Sequence, residues 1–399
     1  MPSELRIYDT LRGKAEPFET VSKGRVKMVV CGPTVQNLMH VGHARTGIIF
    51  DTVARYLSYL GYQVTYLMNM TDIDESIVKG AQAEKISPAE FAQRFADNFL
   101  QDAAKLGIRS VTKYPKVSNY IPKMIEEAQG LVGNGHAYVV DGDVFMDTMT
   151  VPGFGQLSHI STEELTLRPV EITPKKRHLT DFALWRASSS ATQRWKSPWG
   201  SGVPGWHIQD TAVAISELGP QYDIHGGARE LIYPHHESLI AEAESLTGKK
   251  PYVRFWMHTG LLTISRKKMS KSEGNMVTVR EALSRFGPSQ LRLYFLMSHY
   301  RKDTEYDESR LRQVDAEYWR IKERASKLKE GSSLQTEAGN SLLQPFLDAM
   351  NDDFDTPRAI VELTKLVDEG ASEADAKRTS EYSASITKAS SILGVSLLD

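Results

Sequence analysis

The stretch that most limits what this chain can fold into runs from Arg25 to Met68. Arg25-Val-Lys-Met-Val-Val-Cys31 is a β-prone run, and Gly32-Pro33-Thr34 ends it with turn chemistry. Ile49, Val53, Leu57 and Leu60 then recur at helical spacing, and Gly61 stands where a C-terminal cap belongs. Residues 64–68 form a second β-prone run. A strand, a crossover helix and a strand within about 45 residues make a βαβ unit, which predicts an α/β fold with a doubly wound parallel sheet covered by helices. Ligands of such sheets bind at the carboxyl ends of the strands, so residues 31–43 and 69–74 are expected to border a site.

Helical periodicity continues to about residue 135, through Phe91, Phe95 and Phe99, then Ile121, Met124, Ala128 and Leu131. Residues 137–185 change to short β-prone runs broken by Gly and Pro, which reads as an insertion packed on the sheet domain. Sheet-like character returns over 205–264, and from Arg310 onward the pattern is helical, with a Gly-Ser-Ser hinge after Glu330. The division expected is 1–135 for the first half of the sheet domain with a helical extension, 136–204 for the insertion, 205–309 for the second half and 310–399 for a helical C-terminal domain.

Composition narrows the classes. The 399 residues, 41 % hydrophobic and 25 % charged, suit a globular protein with more than one core. No apolar run approaches the roughly 20 residues needed to cross a bilayer, and Glu4, Arg6, Asp9 and Arg12 interrupt the N-terminus, so a cytoplasmic protein without a membrane partner is expected. The single cysteine, Cys31, forms no intramolecular disulfide and forces any metal site to lean on His, Asp or Glu. The net charge of −2 supplies no global basic field. From Gly331 to Asp399 five Lys/Arg face twelve Asp/Glu, a balance of −7 that opposes a phosphate backbone.

Two motifs carry chemistry. His40-Val-Gly-His43 falls where the first strand gives way to its helix, so Gly42 permits close approach and two imidazoles meet an anion at a helix N-terminus. Lys268-Met-Ser-Lys-Ser272, with Met269, Ser270 and Lys271, offers two cations and two hydroxyls on a loop suited to closing on a triphosphate. Either alone also reads as a polar surface feature.

Together they resemble the paired signatures of class I aminoacyl-tRNA synthetases. Cys31-Gly-Pro-Thr34, Asn69-Met-Thr-Asp-Ile-Asp74, Asp181-Phe-Ala-Leu-Trp185, Ser197-Pro-Trp199, Gly205-Trp-His-Ile208, Asp223-Ile-His-Gly-Gly227, Pro234-His-His-Glu237 and Trp256-Met-His258 follow in the order of the blocks of cysteinyl-tRNA synthetases. The resemblance spans about residues 6–300 and weakens to Asn351-Asp-Asp-Phe-Asp-Thr-Pro357. It implies a Rossmann-type domain that joins an amino acid to the α-phosphate of ATP, with Mg²⁺ as the nucleotide's partner. It also implies His40 and His43 on the phosphates, Lys268 and Lys271 on the pyrophosphate, and Gly226, Gly227, Trp256 and His258 near the adenosine. Ala228 and Glu230 stand where the family has Gly and Asp.

The family's zinc ligands, two cysteines, a histidine and a glutamate, fall on Cys31, Asp210, His235 and Leu239. Three arrangements stay open. Cys31, Asp210 and His235 can hold zinc with an open fourth position. In the favoured one no zinc binds, and Asp210 faces an amino acid other than cysteine, preferring an amine or hydroxyl to a thiol, between walls made by Thr71 and Trp206. In the third, Asp210 only supports the N-terminus of a helix beginning near Thr211. The family also continues past the point matching Asp399 with an anticodon-reading domain. The resemblance therefore implies a short paralogue that transfers its activated amino acid to a small amine, as the mycothiol ligases do, or to another acceptor. The alternatives are a cysteine–tRNA ligase working without that domain and a non-catalytic nucleotide- or amino-acid-binding paralogue.

Overall fold

Residues 28–30 are buried on both sides, which is why the first strand reads as a continuous apolar run rather than an alternating one. In the computed structural model, which describes residues 4–167, 172–188, 193–264, 267–268, 276–328 and 337–398, that strand is β1 (Arg25–Val30). It is followed by helix α1 (Val41–Tyr59) and strand β2 (Gln63–Met68). Helix α2 (Trp206–Leu218), strand β3 (Tyr222–Ala228), helix α3 (Glu237–Thr247) and strand β4 (Val253–Thr259) complete the central layer. The sheet is parallel throughout, in the order β4-β3-β1-β2. The chain thus winds outward in opposite directions from β1 and β3, which lie side by side. The crevice beyond their carboxyl ends is where a doubly wound sheet takes its ligand.

The 205–264 stretch is two further helix–strand units rather than continuous sheet; residues 207–214 of α2 and 237–243 of α3 are buried all round, so neither helix shows the one-sided apolar spacing that marks a surface helix. Between β2 and α2, strands Ala137–Val140, Asp143–Met146, Phe182–Ala187, Trp195–Ser197 and Gly200–Pro204 form a separate five-stranded antiparallel sheet. Helices Glu308–Ala325, Glu337–Asn351, Thr356–Ser372 and Ala376–Leu393 pack on one another at the C-terminus. Their last turn is fastened to α1. Arg292, 1 % exposed, donates to the Leu393 carbonyl at 2.9 Å and pairs with buried Asp51 at 2.7 Å. Among the described residues no helix is long and apolar enough to cross a membrane.

Candidate active site

Helix α1 starts at the crevice, and its N-cap is His40. The His40 backbone is extended, and its Nδ1 accepts the Gly42 and His43 backbone N–H groups at 3.2 and 3.3 Å. An accepting Nδ1 carries no proton, so the neutral ring holds its proton on Nε2. Burial pushes His40 down to about 4 against an upward pull from Glu230, so the ring is neutral at neutral pH. His43 stacks on it with ring centroids 3.6 Å apart, and burial holds it well below the usual histidine range. Its Nδ1 is buried without a hydrogen-bond partner among the described residues. Two neutral rings therefore stand at the positive end of a nineteen-residue helix, a place suited to an anion.

Where β1 ends, Cys31 is the hub of a second group. Its thiol donates to Asp210 Oδ2 at 3.2 Å and lies 3.1 Å from His236 Nε2 and 3.4 Å from His225 Nε2. Asp210 Oδ1 accepts from the Asn69 amide at 2.7 Å, and Asn69 Oδ1 accepts from the Gly32 backbone N–H at 3.1 Å. His235 Nε2 meets Asp210 Oδ2 at 2.9 Å, and Trp206 stacks on His235 at 4.4 Å. Burial and the Asp210 charge push the Cys31 thiol well above its usual range. Burial alone would raise Asp210, but His235 and Cys31 outweigh it and hold the carboxyl below the usual range. The hub is thus a thiol, a carboxylate and a set of imidazoles, of which His225 and His258 are pushed down to about 3 by burial.

Six of the residues singled out from the sequence, Cys31, His43, Thr71, Trp206, Asp210 and His235, line one cleft of about 230 Å³, with Thr34, Asn69, Phe99 and Glu230. Trp256 and His258 do not line it. Trp256 is 1 % exposed and packs beside His225, and His258 bonds to His236 and Thr10, so both side chains lie behind this cleft. Gly226 answers to packing, since a Cβ there would sit 2.3 Å from the Phe50 ring, and at Gly227 one would sit 2.9 Å from His236. Asp210 does not cap a helix. Helix α2 begins at Trp206 with Gly205 as its cap, which places Asp210 past the first turn. Lys267–Lys268 pair as a short strand with Leu262–Ile264, whereas Met269, Ser270 and Lys271 lie outside the described residues. Asn69, His207, His225 and His236 have partners in the network that the sequence reading did not assign. His225 and His236 stand in the quoted motifs, but contacts spanning two hundred residues leave no local pattern.

Residues 17–316 match the tRNA synthetases class I (C) catalytic domain, and residues 345–398 match the DALR domain. A cysteine–tRNA ligase of Dehalococcoides mccartyi is 40 % identical over 99 % of this chain and 87 % of its own length. One of Carboxydothermus hydrogenoformans is 41 % identical over 91 % of this chain and 80 % of its own. The chain belongs to the cysteine–tRNA ligase family. Its fold is similar to that of the Mycobacterium tuberculosis methionyl-tRNA synthetase in complex with methionyl-adenylate, at a TM-score of 0.65 and 16 % identity, covering 92 % of this chain and 89 % of that one. This family member is therefore a ligase of the aminoacyl-adenylate-forming kind, on a class I catalytic fold with a C-terminal helical DALR domain. The helices in which the sequence resemblance had faded are matched in their own right.

The zinc site implied by the resemblance is a different matter. Leu239, where that site has a carboxylate, is a fully buried alkyl side chain of α3, and a carboxylate, Asp210, replaces the second thiolate. Cys31, His235 and His236 do bring ligand atoms within 4.8 Å of one another. These atoms are nevertheless closed among themselves, the Cys31 proton on Asp210 and the imidazoles on Asp210 and on the sulfur. One protonated thiol is a poor substitute for two thiolates in capturing a soft ligand on zinc. The residues do not fit the implied site, and no step below runs through zinc.

Proposed function

We propose that this enzyme activates a small amino acid other than cysteine as its adenylate and transfers it to tRNA. The observation that carries the reading is Asp210. It ends the pocket in a carboxylate hydrogen-bonded to the chain's only thiol, where selection of a thiolate needs soft donors. A substrate thiolate entering beside Asp210 meets charge repulsion.

In the step proposed, the amino acid carboxylate attacks the α-phosphorus of ATP, the bond to the β-phosphate oxygen breaks, and pyrophosphate leaves with its Mg²⁺. His40 donates through Nε2 to a phosphate oxygen, and His43 lies stacked beside it at the helix terminus. Neutral donors at a helix N-terminus stabilise the developing charge without being neutralised by it. Lys268 and Lys271 take the leaving pyrophosphate, and Thr71 and Trp206 wall the side-chain pocket. In transfer, an acceptor hydroxyl attacks the acyl carbon and AMP departs. The DALR match over residues 345–398 supports tRNA over a small amine as that acceptor.

Amino-acid-dependent ATP–pyrophosphate exchange across the twenty amino acids tests the reading. Exchange with an amino acid other than cysteine is expected, and exchange with cysteine alone overturns it. That second outcome is the alternative favoured by 40 % identity to a cysteine–tRNA ligase over nearly the whole chain.

A further inference from the structure

A second cleft, of about 350 Å³, opens near the other end of α1, about 20 Å along the helix from His40. Its walls come from Arg55 of α1, from the turn that follows helix Pro88–Lys105 and from the last helix, Ala376–Leu393. Arg55 ties these walls together. It donates to Asp51 Oδ2 at 2.7 Å, to the Gly107 carbonyl at 2.9 Å and to the Ser391 carbonyl at 3.1 Å. Behind it the buried Arg292 pairs with the same Asp51 oxygen. Two guanidiniums, which keep their charge, therefore rest on one carboxylate at the back of the cleft.

The lining adds to that positive charge. Lys105 and Arg109 are exposed at this cleft and form no ion pair among the described residues, and the described lining contains no Asp or Glu. An adjoining cavity, which shares Arg55, Thr387 and Ser391, adds Lys388 and again no carboxylate. This basic face stands against the −7 balance of residues 331–399. Helix Pro288–Leu296 begins here, with Pro288 and Ser289 in the lining, and the first N–H groups of a helix have no partner within it. The Ser289 hydroxyl already accepts from the Ser396 N–H at 3.1 Å. Ser390, a lining residue only 6 % exposed, has a buried hydroxyl with no hydrogen-bond partner among the described residues. Such a group is costly to leave unpaired, and a ligand oxygen in the cleft satisfies it.

We infer that this cleft binds a phosphate group, at a site separate from the adenylation crevice. A helix N-terminus, an unpaired hydroxyl, an ammonium and a guanidinium offer donors from three separate segments of the chain. A carboxylate has two oxygens in one plane, whereas a phosphate spreads its oxygens over a tetrahedron and meets donors arriving from several sides. The surplus of cations repels a basic ligand. The bound phosphate bridges α1 and the 105–109 turn of the catalytic domain to Ser390, which lies within the DALR match. A small phosphate ester and an RNA backbone both carry this chemistry.

The test is equilibrium dialysis of the full chain against ³²P-labelled inorganic phosphate at low ionic strength. Wild type is compared with the double variant Lys105→Ala/Arg109→Ala, whose side chains are exposed, with Ser390→Ala, and with His40→Asn at the other end of α1. Saturable binding is expected, weakened at least about tenfold in the double variant and about threefold or more in Ser390→Ala, and retained in His40→Asn. Raising the salt concentration should weaken it further. Unlabelled short RNA duplex and unlabelled glycerol phosphate then compete for the label. Displacement by the duplex at lower phosphate concentration than by the ester assigns the site to an RNA backbone, and the reverse order assigns it to a small phosphate ester; both support the site. Absence of saturable binding overturns it, as does binding that the double variant leaves within about twofold of wild type or that His40→Asn abolishes.

Discussion

His40 performs two separable tasks, and substitution can pull them apart. Its Nδ1 caps α1 by accepting the Gly42 and His43 N–H groups, while Nε2 holds the proton that the proposed mechanism offers to a phosphate. Asparagine is a strong N-cap whose oxygen reaches the same N–H groups but whose side chain is too short for the second task. His40→Ala removes both. At 3.2 and 3.3 Å the cap bonds are long, so their loss should cost about 0.5–1 kcal/mol, the lower part of the range for such replacements. Loss of a donor aimed at developing charge costs about 10²–10³ in rate. The expected pattern is an adenylation rate, followed by pyrophosphate exchange, that falls about a hundredfold or more in both variants. Thermal and urea unfolding should show a loss only in His40→Ala. The pH dependence has a definite sign: the folded ring stays neutral down to about 4 while an unfolded histidine titrates near 6.5. Stability from this group is complete above the unfolded value and falls as pH drops between the two, by up to about 1.4 kcal/mol per unit, so both variants should flatten that slope. The reasoning is refuted if His40→Asn exchanges within about threefold of wild type, or if it destabilises the fold as much as His40→Ala.

Asp51→Asn keeps the Oδ1 acceptor of the Arg109 and Ser110 N–H groups but turns an amide toward buried Arg292, so a loss of about 3–5 kcal/mol in urea unfolding is expected; a loss under about 1 kcal/mol would mean that the pair is screened. The Cys31 thiol, pushed up by burial and by Asp210, should react with iodoacetamide at pH 8 far more slowly in the folded chain than in urea, and equal rates would contradict its protonated state. Glu127, with both carboxyl oxygens buried and unpartnered among the described residues, is pushed up to about 8 by burial. The folded state then keeps a proton that the unfolded state has lost, so stability should decline as pH rises from about 4.5 toward 8, and Glu127→Gln should remove that decline in urea midpoints measured across the range.

The central layer was legible because both its signals are local. An apolar run closed by Gly-Pro-Thr marks β1, and helical spacing closed by Gly61 marks α1, whose last helical residue is Tyr59. The place of His40 and His43 at the start of α1 was legible for the same reason, since they are three residues apart and fall at a predicted helix start. The pocket floor was legible only in part. Cys31, Asp210 and His235 could be named from motif blocks, but the start of α2 at Trp206 was missed because Gly205 caps it without a side chain. The relay through His258, His236 and His225 depends on parallel pairing of β1, β3 and β4, which no periodicity encodes. The use of glycine at 226 depends on Phe50, a residue of α1 in another part of the chain.

The central claim is that this scaffold forms an adenylate while its pocket no longer selects a thiol. Its most direct test is competition. The enzyme is incubated with ATP, Mg²⁺ and an equimolar mixture of the twenty amino acids, and the adenylate retained on the protein is weighed by mass spectrometry. An adenylate of an amino acid other than cysteine is predicted, and cysteinyl-adenylate would contradict the account.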